Sequence, residues 1–290
     1  MRNYMDETLL MLAEQLAVLA LQEDVGPGDL TGGVLLDTDA TGTADVRVKQ
    51  DGVICGLQWL EVVFGKLDDS VSVQMEAVDG DRIKAGTVVA SVTCGLPQLV
   101  AGERTALNLI QRLSGIATLT ARFMDAIEGT RCMVFDTRKT TPGLRAFEKY
   151  AVVCGGGANH RMGLYDEMMI KENHLYLSGL KLPEAISKLR EAHPDTRLTA
   201  EAENLAEAQA AIHAGADIVL LDEFSLEDIR AAVAFRGSDD ESVRKTQLEV
   251  SGGVTLATIK DYAETGVERV SVGALTHSAS ALDVSLKVRR

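Results

Sequence analysis

The sequence predicts an α/β protein in two parts: an antiparallel, β-rich region first, then alternating strands and helices that close into a reduced barrel of six or seven parallel strands. Three observations carry that reading. Ala44, Val46 and Val48 alternate with polar residues, as do Val71, Val73 and Met75, which is the period of a half-buried strand. Leu107, Ile110, Leu113, Ile116 and Leu119 recur at threes, a helical spacing. Beyond them, short apolar runs end repeatedly in a charged residue or a glycine, as the strands of a parallel βα fold do.

The elements follow in order. Leu9, Leu12, Ala13, Leu16, Leu19 and Ala20 fall at helical spacing and predict an amphipathic opening helix. Acidic Asp6 and Glu7 precede this run and Glu14 and Gln15 interrupt it, the opposite of a signal peptide. Glu23 to Thr31, punctuated by Gly26, Pro27 and Gly28, reads as turn chemistry. The two alternating stretches come next, and Asp79-Gly80-Asp81 leads into Ile83 and Val88-Val89-Ala90. Gly80 to Gly86 is read as a structural hairpin, because no lysine stands between methionines at its tip as a biotinyl or lipoyl carrier would need. A helix is expected over 102–127.

Six runs then end in polar groups: Val134-Phe135-Asp136 before Arg138-Lys139, Met168 to Ile170 before Lys171, Leu198 to Ala200 before Glu201, Ile218 to Leu221 before Asp222, Leu248 to Val250 before Ser251, and Val270 to Val272 before Gly273. Helical stretches such as Leu205 to Ala214 and Leu256 to Glu264 separate most of them. A complete eight-stranded barrel takes about 200 residues or more. The span 131–276 is shorter, so six or seven strands are expected.

Composition narrows the classes. The chain has 290 residues, 46% of them apolar, and a formal charge of -14. That balance leaves no broad basic face for nucleic acid or an anionic membrane, and no stretch is long enough to span a bilayer. Cys55, Cys94, Cys132 and Cys154 show neither CxxC nor zinc spacing, so reduced thiols in the cytoplasm are expected.

In parallel βα folds the loops at the C-terminal strand ends supply the ligand groups. Arg138, Lys139, His160, Arg161 and Lys171 all fall in such loops. Guanidinium forks and ammonium groups there suit a small, highly anionic substrate, although any single Arg or Lys is more often a solvated surface charge. Gly155-Gly156-Gly157 is either a flexible turn or a place for backbone to approach a ligand. Ser251-Gly252-Gly253 and Gly273-Ala274 each lie between a strand and a helix, where backbone N–H groups bind phosphate. Glu201 and Asp222 end successive strands and could hold ribose hydroxyls or Mg²⁺, or else cap helices.

Taken together the motifs resemble one family, the quinolinate phosphoribosyltransferases, which are the type II phosphoribosyltransferases of NAD synthesis. The resemblance runs over nearly the whole chain: Glu23-Asp24-Val25-Gly26 with Gly28-Asp29-Leu30-Thr31, Gly102 to Asn108, Leu113 to Thr118, the Arg138-Lys139 and Asn159-His160-Arg161 blocks, Lys171-Glu172-Asn173-His174, and Gly273 to Ser278 with Ala281-Leu282-Asp283. It implies an open-faced α/β sandwich over about 1–115, with 277–290 packing on it, and an incomplete α/β barrel over 116–276. It further implies a homodimer with shared sites and Mg²⁺ as cofactor. Carried over by position, Arg138, His160, Arg161 and Lys171 would clamp the two carboxylates of quinolinate, with Arg104 of the partner subunit reaching in. Lys139, Glu201 and Asp222 would serve phosphoribosyl pyrophosphate and its Mg²⁺, and with Lys171 would form the catalytic set. Ser251, Gly252, Gly253, Gly273 and Ala274 would bind phosphate. Two positions depart from the family's pattern: Thr199 stands where a glutamate usually precedes Ala200-Glu201, and Glu223 where asparagine usually follows Asp222. The molybdenum-transport-associated paralogues, a phosphate-binding barrel lyase or isomerase, and a non-enzymatic scaffold are the rivals, against which Lys171-Glu172-Asn173-His174 and the many carboxylate-binding cations weigh.

Overall fold

In the computed structural model, residues 5–237 and 245–289 are described, and they divide into two compact units. The first comprises Met1–Ala121, Thr141–Gly156 and Ser278–Arg290, the second Arg122–Thr140 and Gly157–His277.

The first unit opens with α1 (Glu7–Asp24), started by Asp6, whose side chain accepts the N–H of Leu9 at 2.8 Å. The buried stripe is Leu9, Ala13, Ala17 and Leu21, one residue every fourth position and narrower than expected. Leu12 and Leu19 face outward instead, because on a helix laid over its support only one such row points straight down. After the short α2 (Gly32–Leu35) come β1 (Thr41–Val48), β2 (Gly52–Val53), α3 (Trp59–Gly65), β3 (Ser72–Met75), β4 (Arg82–Ile83) and β5 (Val88–Gly95). The alternating stretches of the sequence thus become an antiparallel sheet, with β5 between β1 and β3. Its inward residues Ala44, Val46, Val48, Val89, Ala90 and Val92 are fully buried.

A 31-residue helix, α4 (Leu96–Ala126), follows. It starts six residues before the expected point, because Leu96 to Ala101 also fit its face: Leu99, Leu107, Ile110, Leu113 and Ile116 are all essentially inaccessible. Gly155 lies close against it. A Cβ there would stand 2.4 Å from the Ala117 carbonyl, so helix packing requires a glycine at this position. Cys55 and Cys154 are buried beside Asp79, which accepts the Gly56 and Leu57 amides and the Tyr150 hydroxyl. Burial pushes the Cys55 thiol far up, with Cys154 adding to the effect.

The second unit is the βα part. Along the chain come β6 (Met133–Phe135), α5 (Arg145–Cys154, counted with the first unit), β7 (Met168–Ile170), α6 (Glu172–Ser178), α7 (Leu182–Ala192), β8 (Leu198–Ala202), α8 (Leu205–His213), β9 (Ile218–Asp222), α9 (Leu226–Arg236), β10 (Gln247–Ser251), α10 (Ile259–Ala263), β11 (Arg269–Ser271) and α11 (Ala274–His277). All six expected strands form, in the order β6-β11-β10-β9-β8-β7 and parallel throughout. That is the chain order of a ring in which β11 returns to β6 while, among the described residues, β6 and β7 do not pair, an incomplete barrel. Ala158 sits beside β6, donating to Val134 and accepting from Asp136. The last strand, β12 (Val284–Val288), belongs to the first unit and pairs antiparallel with β1 from Ala44↔Val288 to Val48↔Val284.

Candidate active site

The C-terminal ends of the six strands form one edge of the barrel, and the residues that follow them carry its charge. At the end of β6, Asp136 is fully buried and its Oδ1 accepts the backbone N–H of His160 at 2.9 Å, which fixes the Asn159-His160-Arg161 loop. Arg138 and Lys139 come next and are exposed. The Lys139 carbonyl accepts the Thr276 hydroxyl at 2.7 Å, and the Lys139 stem lies 3.1 Å from where a Cβ on Gly273 would stand, so the loop after β6 is pinned to the turn before α11. Arg161 is near enough to Arg138 to feel its charge. Burial and Arg138 press the Arg161 guanidinium's pKa down, while Glu167 and Asp166 oppose them. Two cations within reach of each other's charge can together receive an anion.

The His160 ring is buried behind them. Its Nδ1 accepts the Arg161 N–H at 2.7 Å, which leaves the Nε2 hydrogen facing Glu249, 3.4 Å away. Glu249 is itself inaccessible, bound by the Arg269 guanidinium at 2.6 Å and by the Ser271 hydroxyl. The Arg269 guanidinium carbon lies over the Phe135 ring, 3.6 Å from its centroid. Burial would raise the Glu249 carboxyl, but His160, Arg269 and Ser271 outweigh it and hold the pKa at about 2. This polar layer inside the barrel is built by β10 and β11 and lies below the strand ends.

On the other side of the mouth, Lys171 ends β7 and caps α6. His174 accepts the Lys171 N–H at 3.0 Å, so that histidine serves the helix start. The Lys171 ammonium is paired with Glu201 at the end of β8. Burial, then Glu172 and Asp222, push the Glu201 pKa up against that lysine; the three carboxylates therefore share one neighbourhood. Neither Glu201 nor Asp222 is spent as a helix cap, since Asn204 caps α8 and Ser225 caps α9.

The glycine turns close the ring. Gly252 and Gly253 have φ of 94° and 57°, and a Cβ on Gly252 would meet the Glu223 Cγ at 2.7 Å. Glu223 is also left-handed, φ 54°, and donates its N–H to the Ser251 carbonyl. The Ser251 turn does not open a helix, contrary to the sequence expectation: Thr255 and Thr258 form a turn first, and α10 begins at Ile259. Gly273 does precede α11 directly. Arg104 lies in the first unit, exposed on α4.

Of the residues expected from sequence, Arg138, Lys139, His160, Arg161, Lys171, Glu201, Asp222, Ser251, Gly252, Gly253, Gly273 and Ala274 all fall in the second unit and lie at strand ends or in the loops that follow. Glu167, Glu172, Glu249, Arg269 and Ser271 were missed. A charged residue at an inward position of an apolar run, as in Leu248-Glu249-Val250, was the available signal. Such an edge can bind a small polyanion through its cations. Its carboxylates suit hydroxyl groups or a hard cation.

The comparisons with known proteins agree in extent. The family profiles described as quinolinate phosphoribosyl transferase, N-terminal domain and C-terminal domain, match residues 29–114 and 116–287. A probable nicotinate-nucleotide pyrophosphorylase (carboxylating) of Bacillus subtilis is 39% identical over 92% of this chain and 90% of its own length. The nicotinate-nucleotide pyrophosphorylase (carboxylating) of Mycobacterium leprae is 39% identical over 92% and 94%. Among solved structures, NadC from Streptococcus pyogenes superposes with a TM-score of 0.91 at 38% identity, covering 99% of each chain.

Proposed function

The chain belongs to the quinolinate phosphoribosyl transferase family, and we propose that it transfers the phosphoribosyl group of phosphoribosyl pyrophosphate to quinolinate, giving nicotinate mononucleotide, pyrophosphate and CO₂ in NAD biosynthesis. The observation that carries the reading is the division of one strand-end edge into a cationic arc, Arg138, Lys139, Arg161 and Lys171, and an acidic one, Glu201 and Asp222.

Arg138, Arg161 and Lys171 take the two carboxylates of quinolinate, with His160 behind Arg161 and Arg104 of the partner subunit completing the clamp. Lys139 faces the leaving pyrophosphate. Glu201 and Asp222 hold the ribose side, and the backbone of Ser251, Gly252, Gly253, Gly273 and Ala274 receives the 5′-phosphate. Positive charge develops on the ribose carbon as pyrophosphate departs, and carboxylates beside it lower that barrier. The quinolinate nitrogen then attacks. Its ring becomes a pyridinium whose positive nitrogen stabilises the electron pair left on C2 when the 2-carboxylate leaves as CO₂, and C2 then takes a proton from solvent.

Mg²⁺ fits the donor set: Glu201 and Asp222 offer hard oxygens, and an ion bound by few carboxylates with water and substrate phosphates is its usual habit. It would supply charge neutralisation for pyrophosphate. A homodimer is supported by exposed apolar side chains in each unit, Leu30, Val34 and Leu35 in one and Tyr165, Tyr176 and Leu177 in the other. A cytoplasmic home is supported by four free, buried thiols.

Lys171→Ala tests the clamp. Turnover of quinolinate should fall about 10²–10³-fold with circular dichroism unchanged; near-normal turnover in a steady-state assay would sink it.

A further inference from the structure

The polar layer beneath the mouth contains a carboxylate that the reaction above leaves without a task. Glu167 immediately precedes β7 and is only 7% exposed. Its Oε1 accepts the Thr199 hydroxyl at 2.8 Å and lies 4.0 Å from the His160 Nδ1. Its backbone carbonyl accepts the Arg161 guanidinium at 3.1 Å, and its charge steadies Arg161 against burial and the push of Arg138. One residue thus bonds Thr199 on β8 and the Arg161 head, with the His160 ring 4.0 Å from its carboxylate.

The partner on β8 is informative. Thr199 is fully buried and stands two residues before Glu201, on the same face of the strand. A carboxylate projecting from residue 199 would enter the space that the Glu167 carboxylate fills, since the two side chains already meet at 2.8 Å. Two buried carboxylates side by side would repel, and one would be forced to protonate. A single carboxylate satisfies the site from either strand.

We propose that Glu167 is a positioning residue of the anion site, a buried carboxylate at the start of β7 whose place can also be reached from position 199 on β8, and that its charge keeps the Arg161 head, beside the His160 ring, ready for the substrate's carboxylates. The inference rests on the dicarboxylate reading of the site. It acts through Arg161 and His160 and does not itself touch substrate.

A carboxylate exchange tests it. Glu167→Gln keeps an acceptor for Thr199 and removes the charge; it should raise the KM for quinolinate by on the order of tenfold, as losing the carboxylate that orients a ligating side chain does elsewhere, and leave the KM for phosphoribosyl pyrophosphate unchanged. Glu167→Ala should lose more, and Glu167→Ala/Thr199→Glu should recover most of that loss. A Glu167→Gln enzyme indistinguishable from wild type, or a folded exchange variant no better than Glu167→Ala, overturns the proposal. Imidazole ¹⁵N shifts of His160, read without substrate, separate this from failure of the function itself. They should move in Glu167→Gln and return in the exchange variant even if quinolinate is not the substrate, and unmoved shifts in all variants would refute the positioning role.

Discussion

Glu223 shows how much a single backbone angle can decide. Its φ of 54° puts a long side chain in the left-handed region, which costs an ordinary L-residue about 1–2 kcal/mol and is eased for asparagine. The strain is kept because its N–H closes on the Ser251 carbonyl and its Cγ fills the space above Gly252. Glu223→Asn should therefore stabilise the fold by about 1 kcal/mol, read as a raised urea midpoint with unchanged slope; a lowered midpoint would show that the glutamate makes a compensating contact. Glu249 makes a second case. Its carboxyl sits at about 2 against an ordinary 4.5. A depressed acid contributes fully above pH about 4.5 and loses that contribution as pH falls toward 2, here on the order of 3 kcal/mol. Glu249→Gln should lower stability at pH 7 and flatten the acid limb between those pH values. A limb as steep as that of wild type would contradict the network described around His160.

The elements were far more legible than the layer they enclose. The six βα runs could be read because each ends an apolar stretch at a charged residue or glycine, and α4 because its apolar residues repeat at helical spacing. What could not be read depends on long-range pairing. β12 is a short run at the chain's end and becomes a strand only through the open edge of β1. Glu249, Arg269 and Glu167 were not singled out, because sequence alternation says which side a residue faces and not what it meets there. The packing role of Gly155 was hidden for the same reason: its constraint comes from the Ala117 carbonyl on α4. Burial at element scale also sets thiol chemistry, pushing Cys94 to about 11 and Cys132 to about 12. Native protein should react with a thiol reagent only as fast as it unfolds, and rapid reaction of either thiol in the folded enzyme would contradict that packing.

For the molecule as a whole, the exposed apolar residues are the feature that a lone chain explains least. Tyr176 and Leu177 of α6 are 85% and 81% exposed, Leu30 and Val34 90% and 81%; clusters of this kind usually mark an interface. Sedimentation equilibrium should give twice the 31.1 kDa of one chain. Mixing two inactive variants, Arg104→Ala and Lys171→Ala, should restore part of the activity, because a mixed dimer keeps one site with both residues intact. No recovery after subunit exchange would place Arg104 in its own chain's site. The charge pattern fits the same picture: a net charge of -14 surrounds a local arc of cations, which keeps anion binding confined to one edge.

On the function proposed above, this edge joins a phosphoribosyl group to quinolinate and then releases the 2-carboxylate. Incubation with quinolinate labelled in that carboxylate, phosphoribosyl pyrophosphate and Mg²⁺ tests it directly. Labelled CO₂ and nicotinate mononucleotide should form in equal amounts, both absent when phosphoribosyl pyrophosphate is omitted and neither formed from nicotinate. Folded, dimeric protein that yields no nucleotide from quinolinate, or that accepts nicotinate equally well, would contradict it.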